Sequence, residues 1–152
     1  MGRRFSCSIG RGGIVPARIK REGDGATPAG VHRIVGMLYH PARMTAPADW
    51  ALPTSPADRW SDDSRDPDYN LMVRLPHGYS HERLQQPDPL YDLILITDWN
   101  WPQAEPGRGS AIFIHTWRRP RFPTAGCVAF ARTDLVWIAA RIRHQTRLII
   151  RD

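Results

Sequence analysis

The chain has 152 residues, of which 41% are hydrophobic, and a formal net charge of +6. This length suffices for one domain whose core buries about 68–70% of the surface of the unfolded chain. The charge comes almost wholly from arginine, since Lys20 is the only lysine, and it suits acidic partners. The basic residues are scattered without a nucleic-acid motif, and no run approaches the ~20 apolar residues of a membrane span. We therefore expect neither a nucleic-acid partner nor a membrane span.

Residues 1–7 carry an arginine pair but no apolar stretch behind it, so the segment as it stands does not match a secretory signal. Two alternatives stay open for localisation: a cytoplasmic protein, or an envelope protein whose leader is missing from this chain. The two cysteines, Cys7 and Cys127, are too few to indicate a disulfide framework.

The N-terminal part predicts short strands joined by turns. Alternation over residues 5–9 predicts a half-buried strand, with Cys7 facing the core as a small hydrophobic residue. Residues 14–20 are predicted to return as an edge strand, because Pro16 cannot donate to a central ladder. Residues 31–39 predict another strand after a polar loop rich in glycine.

Residues 40–69 are rich in proline and show little periodicity. Their length exceeds that of an ordinary connection, which indicates an irregular insertion or a functional flap around residues 40–70. Trp50 and Trp60 indicate that part of the segment packs against the domain. The acidic cluster at residues 62–66 lacks the histidine or cysteine spacing of a metal site, so we interpret it as a solvated turn.

The C-terminal half predicts buried strands and one helix. Ser80 is predicted to cap a single helical turn over residues 80–84. Thr133 is predicted as the N-cap of a helix that runs to about Arg143. The predicted strands cover residues 71–75, 91–97, 111–114, 128–130 and 146–151. The fold class is therefore mostly β with one C-terminal helix.

The most chemically specific stretch is 109–133, where His115 ends an apolar strand and Cys127 follows twelve positions later. If the loop folds back, the two side chains can form a thiolate–imidazole pair. Three loop arginines at 118, 119 and 121 would favour the thiolate or hold a substrate carboxylate. Gly126 allows close backbone approach, and the amides around Gly126 and Cys127 are candidate oxyanion donors. This pattern favours acyl transfer through a thioester; the alternative is an inert core cysteine and a histidine satisfied at a strand end.

Two motifs resemble a known family. Residues 114–116 (Ile-His-Thr) and 124–128 (Thr-Ala-Gly-Cys-Val) resemble the signature of the L,D-transpeptidases, the YkuD domain family. Residues 27–31 (Thr-Pro-Ala-Gly-Val) are similar to a second family motif that enters a strand. Four further stretches resemble the compact bacterial branch of this family, namely residues 20–30, 68–70, 80–82 and 91–92. The resemblance therefore spans nearly the whole chain.

The resemblance implies a single β-sandwich or barrel-like catalytic domain over residues 1–152. It implies Cys127 as the nucleophile, His115 as its base and Gly126 as part of the catalytic loop, with no metal and no organic cofactor. The substrate contacts that we assign on this basis come from Thr116, Arg119, Thr124, Ala125 and Asn100.

The implied reaction is attack on the bond between the diamino acid and the terminal D-alanine of a peptidoglycan stem peptide or muropeptide. The acyl group then passes to an amine, which makes a cross-link, or to water. The family also implies carbapenem β-lactams as acylating inhibitors. The alternatives are an L,D-carboxypeptidase, endopeptidase or amidase on the same site, or a wall-binding domain without catalysis.

The sequence departs from the commonest family pattern. Ala125 stands where many members have histidine, and Val128 and Ala129 replace an Arg-Asn pair. We therefore expect carboxylate recognition to shift onto the arginines at 118, 119 or 121.

Overall fold

The most apolar run of the chain becomes a central strand of the largest sheet. The computed structural model describes residues 2–152, and within them it contains twelve strands and one α-helix. The helix α1 is Arg132–Ala139, and a short 3-10 helix covers Pro89–Tyr91. In chain order the strands are β1 (Cys7–Ser8), β2 (Ile14–Val15), β3 (Thr27–Pro28), β4 (Gly30–Tyr39), β5 (Leu52–Pro53), β6 (Asp58–Ser61), β7 (Met72–Arg74), β8 (His81–Arg83), β9 (Leu93–Thr97), β10 (Phe113–Thr116), β11 (Val128–Phe130) and β12 (Arg147–Ile150). The predicted mostly β fold with one C-terminal helix is confirmed.

The main sheet has seven strands in the order β1-β11-β10-β9-β4-β12, with β5 paired to the end of β4. Neighbours in this sheet are antiparallel except β10–β11 and β4–β5, which are parallel. All five residues of β9 are buried, as expected for a central strand covered on both faces. Two smaller sheets, β2–β3 and β7-β6-β8, complete the fold.

The two faces of the main sheet support different parts of the molecule. Because side chains alternate along a strand, Leu95 and Ile114 point to one face, where they pack with Leu135 of α1. Phe113 and Cys127 belong to the opposite face, where the core includes Trp60 of β6. The helix therefore covers one face, and the small β7-β6-β8 sheet covers part of the other.

Several local predictions are wrong. Cys7 is exposed and Ser8 is buried, because the two-residue strand β1 turns its serine toward the sheet. Residues 81–83 form a strand and not a helical turn, since pairing with β6 overrides the local cap signal at Ser80. The returning strand after the first turn is limited to Ile14–Val15, and a turn follows it.

The helix boundaries also differ from the prediction. It begins at Arg132 after Ala131, which provides no side-chain cap, and it ends at Ala139. Thr133 therefore lies inside the first turn. In the described residues, 2–152, no helix has the length and apolar character needed to cross a membrane.

The segment that was predicted to be irregular contains β5 and β6 and is partly packed against the domain. Trp60 is buried and packs edge-to-face on Phe113, with ring centroids 4.9 Å apart. Trp50 is partly buried against the helix-side core. Both tryptophans thus fulfil the expectation that part of this segment packs down.

Asn70 joins the segment to the rest of the domain. It is 2% exposed and adopts φ 61°, a conformation that asparagine tolerates better than most residues. Its Oδ1 accepts hydrogen bonds from Trp60 Nε1 and from the Ala111 amide, both at 2.9 Å. Its Nδ2 donates to the carbonyls of Trp99 and Asn100 at 3.0 and 2.8 Å. One side chain therefore satisfies groups from three separate stretches of the chain.

We expect Asn70→Ala to lower the free energy of unfolding by about 2–4 kcal/mol, because buried donors and acceptors lose their partners. Urea unfolding followed by tryptophan fluorescence measures this change. Met72→Ala, at a 44% exposed position of β7, is the control and should change stability by less than about 0.5 kcal/mol. Equal stabilities for the two variants would contradict this role of Asn70.

Candidate active site

The parallel pair β10–β11 brings His115 and Cys127 to one face of the main sheet. His115 pairs with Ala129, and Ile114 pairs with Val128. Cys127 lies two residues before Ala129, so the alternation of side chains directs it to the same face as His115. The twelve-residue separation in sequence thus becomes a short crossover between neighbouring strands.

The backbone before Cys127 is held by a network centred on Thr27. The Thr27 hydroxyl donates to the Gly126 carbonyl at 2.8 Å and accepts from the Gly10 amide at 2.8 Å. Gly126 has φ +142°, and a Cβ there would lie 2.9 Å from the Ala26 carbonyl oxygen. Glycine is therefore required for conformation and for space.

Thr124 also stabilises this loop through hydrogen bonds of its side chain. Its hydroxyl donates to the Cys127 carbonyl at 2.6 Å and accepts from the Gly126 amide at 3.1 Å. The Gly126 N–H is consequently engaged within the loop and does not serve as an oxyanion donor in this conformation. The loop nevertheless fixes the backbone around Cys127.

The Cys127 thiol is buried and donates to the Ala111 carbonyl oxygen at 3.0 Å. Burial, reinforced by the negative charge of Glu82, raises the pKa of Cys127 to about 12. The Phe113 N–H, 3.4 Å from the sulfur, and Lys20 act in the opposite direction. The Cys127 side chain is therefore a protonated thiol at pH 7, which corrects the expectation of a thiolate favoured by the loop arginines.

His115 is also neutral at pH 7. Burial lowers its pKa, and the hydrogen bond from Nδ1 to the Thr116 carbonyl, at 2.8 Å, only partly opposes this effect. Since a carbonyl can only accept, that bond assigns the proton to Nδ1 and leaves a lone pair on Nε2. The Tyr91 ring packs edge-to-face on the imidazole with centroids 5.2 Å apart. His115 is therefore a neutral imidazole held in one orientation, with Nε2 available as a proton acceptor.

Both side chains line a cavity of about 670 Å³. Its walls come from the loop before β11, from β8, from the residues before β10 and from the stretch 20–25. Three of the predicted site residues, Thr124, Ala125 and Gly126, line it beside Cys127. The cavity thus gathers the predicted nucleophile, base and nucleophile loop.

The other predicted substrate contacts lie elsewhere. Thr116 is 6% exposed and is not among the lining residues, although its carbonyl orients His115. The Arg119 guanidinium lies over the Phe122 ring, 4.3 Å from the centroid, while Arg118 lines the cavity.

Asn100 has a structural position in its loop. Its amide donates to the carbonyls of Glu105 and Gly109 at 3.0 Å each, and its oxygen accepts from the Glu105 amide. It does not line the cavity either.

Charged residues that were not predicted as site residues also line the cavity. They come from distant parts of the chain, so only the tertiary fold brings them together. They are Arg11, Lys20, Glu22, Asp62 and Glu82. Lys20 and Glu82 lie in stretches that resemble the compact branch, which is the one sequence signal that points to them. Within residues 2–152, no group of three or more His, Cys, Asp or Glu side chains is arranged to hold a metal ion.

Comparison with known families agrees with this geometry. The family model of the L,D-transpeptidase catalytic domain, YkuD, matches residues 1–150. The chain belongs to the L,D-transpeptidase family. Searches of curated proteins and of solved structures gave no match. In this L,D-transpeptidase domain the family signature coincides with the β10–β11 loop described above.

We expect the alkylation rate of Cys127 by iodoacetamide to rise about tenfold per pH unit from pH 7 to pH 10, because the thiolate fraction grows tenfold per unit below the pKa. The measurement uses a Cys7→Ser variant, since Cys7 is exposed and would react first. The same protein in urea is the control, and its rate should level off near the ordinary thiol pKa of 9.0. A rate that is independent of pH in the folded protein would show a preformed thiolate–imidazolium pair instead.

Proposed function

We propose that the protein is a cysteine-dependent L,D-transpeptidase that acts on peptidoglycan stem peptides through a thioester on Cys127. The observation that carries this proposal is the shared cavity of Cys127 and His115, in which the Nδ1–H tautomer leaves Nε2 of His115 free to accept a proton. Family membership supports the reaction class.

In the proposed first step, the substrate carbonyl enters beside Cys127 and the thiol proton passes to His115 Nε2. Sulfur attacks the carbonyl carbon, and a tetrahedral intermediate forms. Its collapse breaks the C–N bond to the terminal D-alanine, and His115 returns the proton to the leaving amine. The products are a thioester and free D-alanine.

In the second step, an acceptor amine gives a proton to His115 and attacks the thioester carbonyl. The C–S bond breaks, and the sulfur recovers the proton from the imidazole. If water takes the place of the amine, the same steps yield a carboxypeptidase. Because both resting groups are neutral, deprotonation of the thiol accompanies attack and does not precede it.

We expect a carbapenem to add once to the wild-type protein, since its strained carbonyl can trap an activated sulfur. Intact-protein mass spectrometry measures the adduct, and the Cys127→Ala variant should show none. His115→Gln should form the adduct at least a hundredfold more slowly, because removing the base costs about 10²–10⁴ in rate. An adduct that persists in Cys127→Ala would contradict the proposal.

A mixture of stem tetrapeptide and an amine acceptor then separates the two outcomes of the thioester. Cross-linked peptide indicates transfer to the amine, whereas free tripeptide indicates hydrolysis. Carbapenem addition without either product would support an activated cysteine but contradict the proposed substrate.

Among the three loop arginines at 118, 119 and 121, Arg118 lines the cavity and is therefore the better candidate for holding a substrate carboxylate. We expect Arg118→Ala to raise KM for a stem tetrapeptide about tenfold, the loss of one charge-assisted hydrogen bond of about 1.5 kcal/mol. The matched variant Arg119→Ala, whose guanidinium lies over Phe122, should change KM less than twofold. The reverse order of effects in steady-state kinetics would return the assignment to Arg119.

A further inference from the structure

The carboxylate of Glu82 lies in the wall of the active-site cavity. Glu82 is part of β8, which pairs with β6 and places Glu82 opposite Trp60. Its Oε1 accepts a hydrogen bond from the Tyr91 hydroxyl at 2.7 Å. Among the described residues, 2–152, no basic side chain forms an ion pair with Glu82.

Two other charged residues in the cavity wall, Lys20 and Glu22, are already engaged. Lys20 is paired with Asp24 at 2.7 Å, so it does not neutralise Glu82. Glu22 accepts a hydrogen bond from the Tyr69 hydroxyl and is exposed. Glu82 is therefore a partly buried carboxylate that faces a cavity and retains capacity for a cationic hydrogen-bond donor.

Tyr91 connects Glu82 to the reacting groups. The Tyr91 hydroxyl is bonded to Glu82, while its ring packs on His115. A ligand bound at Glu82 is therefore separated from His115 by the Tyr91 side chain. This spacing suits a substrate that places its carbonyl at Cys127 and a cationic group at Glu82. The cationic group can belong to the same residue as the carbonyl or to the incoming acceptor.

We propose that Glu82 binds the ammonium group of the diamino residue in the substrate and so selects for a free amine there. This inference rests on the proposed function for the identity of the substrate. The shared chemistry is a primary ammonium. The donor peptide carries it on its side chain, and the acceptor peptide carries it until one proton is released to solvent and the free amine can attack.

The charges of the site favour such a ligand. Burial raises the pKa of Glu82, and the nearby carboxylates of Asp62 and Glu22 act in the same direction, although the Tyr91 hydrogen bond opposes them. The charged form of Glu82 is therefore disfavoured in the empty cavity, and a cation that enters would stabilise it. The charge of Glu82 also contributes to the raised pKa of Cys127. An ammonium bound at Glu82 would offset that contribution, so the same ligand group would favour formation of the thiolate.

The test compares two ligands that differ only in whether the side-chain amine of the diamino residue is free or acetylated. Binding is measured by calorimetry in the Cys127→Ala background, where no turnover occurs. We expect the free-amine tetrapeptide to bind at least tenfold more tightly than the acetylated one. Glu82→Gln, which keeps an oxygen for Tyr91, should reduce this preference to less than twofold and leave affinity for the acetylated peptide within threefold.

Glu105→Gln is the matched control, since that carboxylate is exposed and does not line this cavity, and it should keep the full preference. An unchanged preference in Glu82→Gln would overturn the proposal. An equal loss of affinity for both peptides would also overturn it, because it would indicate a change in the shape of the site. The carbapenem adduct on the same variants with Cys127 restored reports separately on the proposed function.

Kinetics then assign the source of the ammonium. A preference for the free amine in D-alanine release, measured without an acceptor, places the ammonium of the donor at Glu82. In a second assay, the thioester is loaded with the acetylated donor, and transfer to an acceptor is measured. If the preference for a free amine appears only in this assay, the ammonium at Glu82 belongs to the acceptor. Either result supports the proposal if the Glu82→Gln substitution abolishes the preference. If neither step shows a preference for the free amine, the proposal is contradicted.

Discussion

The candidate site depends on one buried hydroxyl. Thr27 bridges the Gly10 amide and the Gly126 carbonyl, two backbone groups that are far apart in sequence. A buried hydroxyl that satisfies a donor and an acceptor at once leaves neither group unpaired, which is worth more than either bond alone. The two family motifs, around Thr27 and around Cys127, are thus parts of one structural unit. The first motif supplies the hydroxyl that holds the Gly126 carbonyl, and the second supplies the glycine that fits beside the Ala26 backbone.

One face of the main sheet forms an apolar core, and the other face carries the candidate site. On the helix side, Leu95, Ile114 and Leu135 form an apolar core. On the other side, Cys127 is packed among aromatic rings, and polar residues follow at the edge of the apolar cluster. Because β10 and β11 contribute alternate residues to both faces, the apolar core holds the strands that present His115 and Cys127.

Sequence patterns predicted the elements whose conformation is determined by their own residues. The buried strands around residues 93–97 and 128–130 and the His–Cys loop were found from hydrophobic runs and spacing, since a buried strand is apolar wherever it pairs. The strand β8 was missed because its conformation depends on a partner about twenty residues away. The inward side of β1 was misassigned because two residues carry too little alternation to fix a face. Glu82 was not predicted as a site residue, although its stretch resembles the compact branch, since its role depends on neighbours that the sequence does not place.

The electrostatics of the cavity assign part of the activation to the substrate. A buried thiol beside a neutral imidazole is a weak nucleophile at pH 7, since the thiolate is the attacking form. Removing the thiol proton becomes favourable only when negative charge near the sulfur is offset and a carbonyl is placed to receive attack. Under the proposed function, a cationic substrate group at Glu82 would meet the first condition, and a substrate carbonyl bound beside Cys127, which the loop around Gly126 holds in place, would meet the second. The site would then stay protonated in water and react only with the ligand that it binds, which would couple selectivity to catalysis.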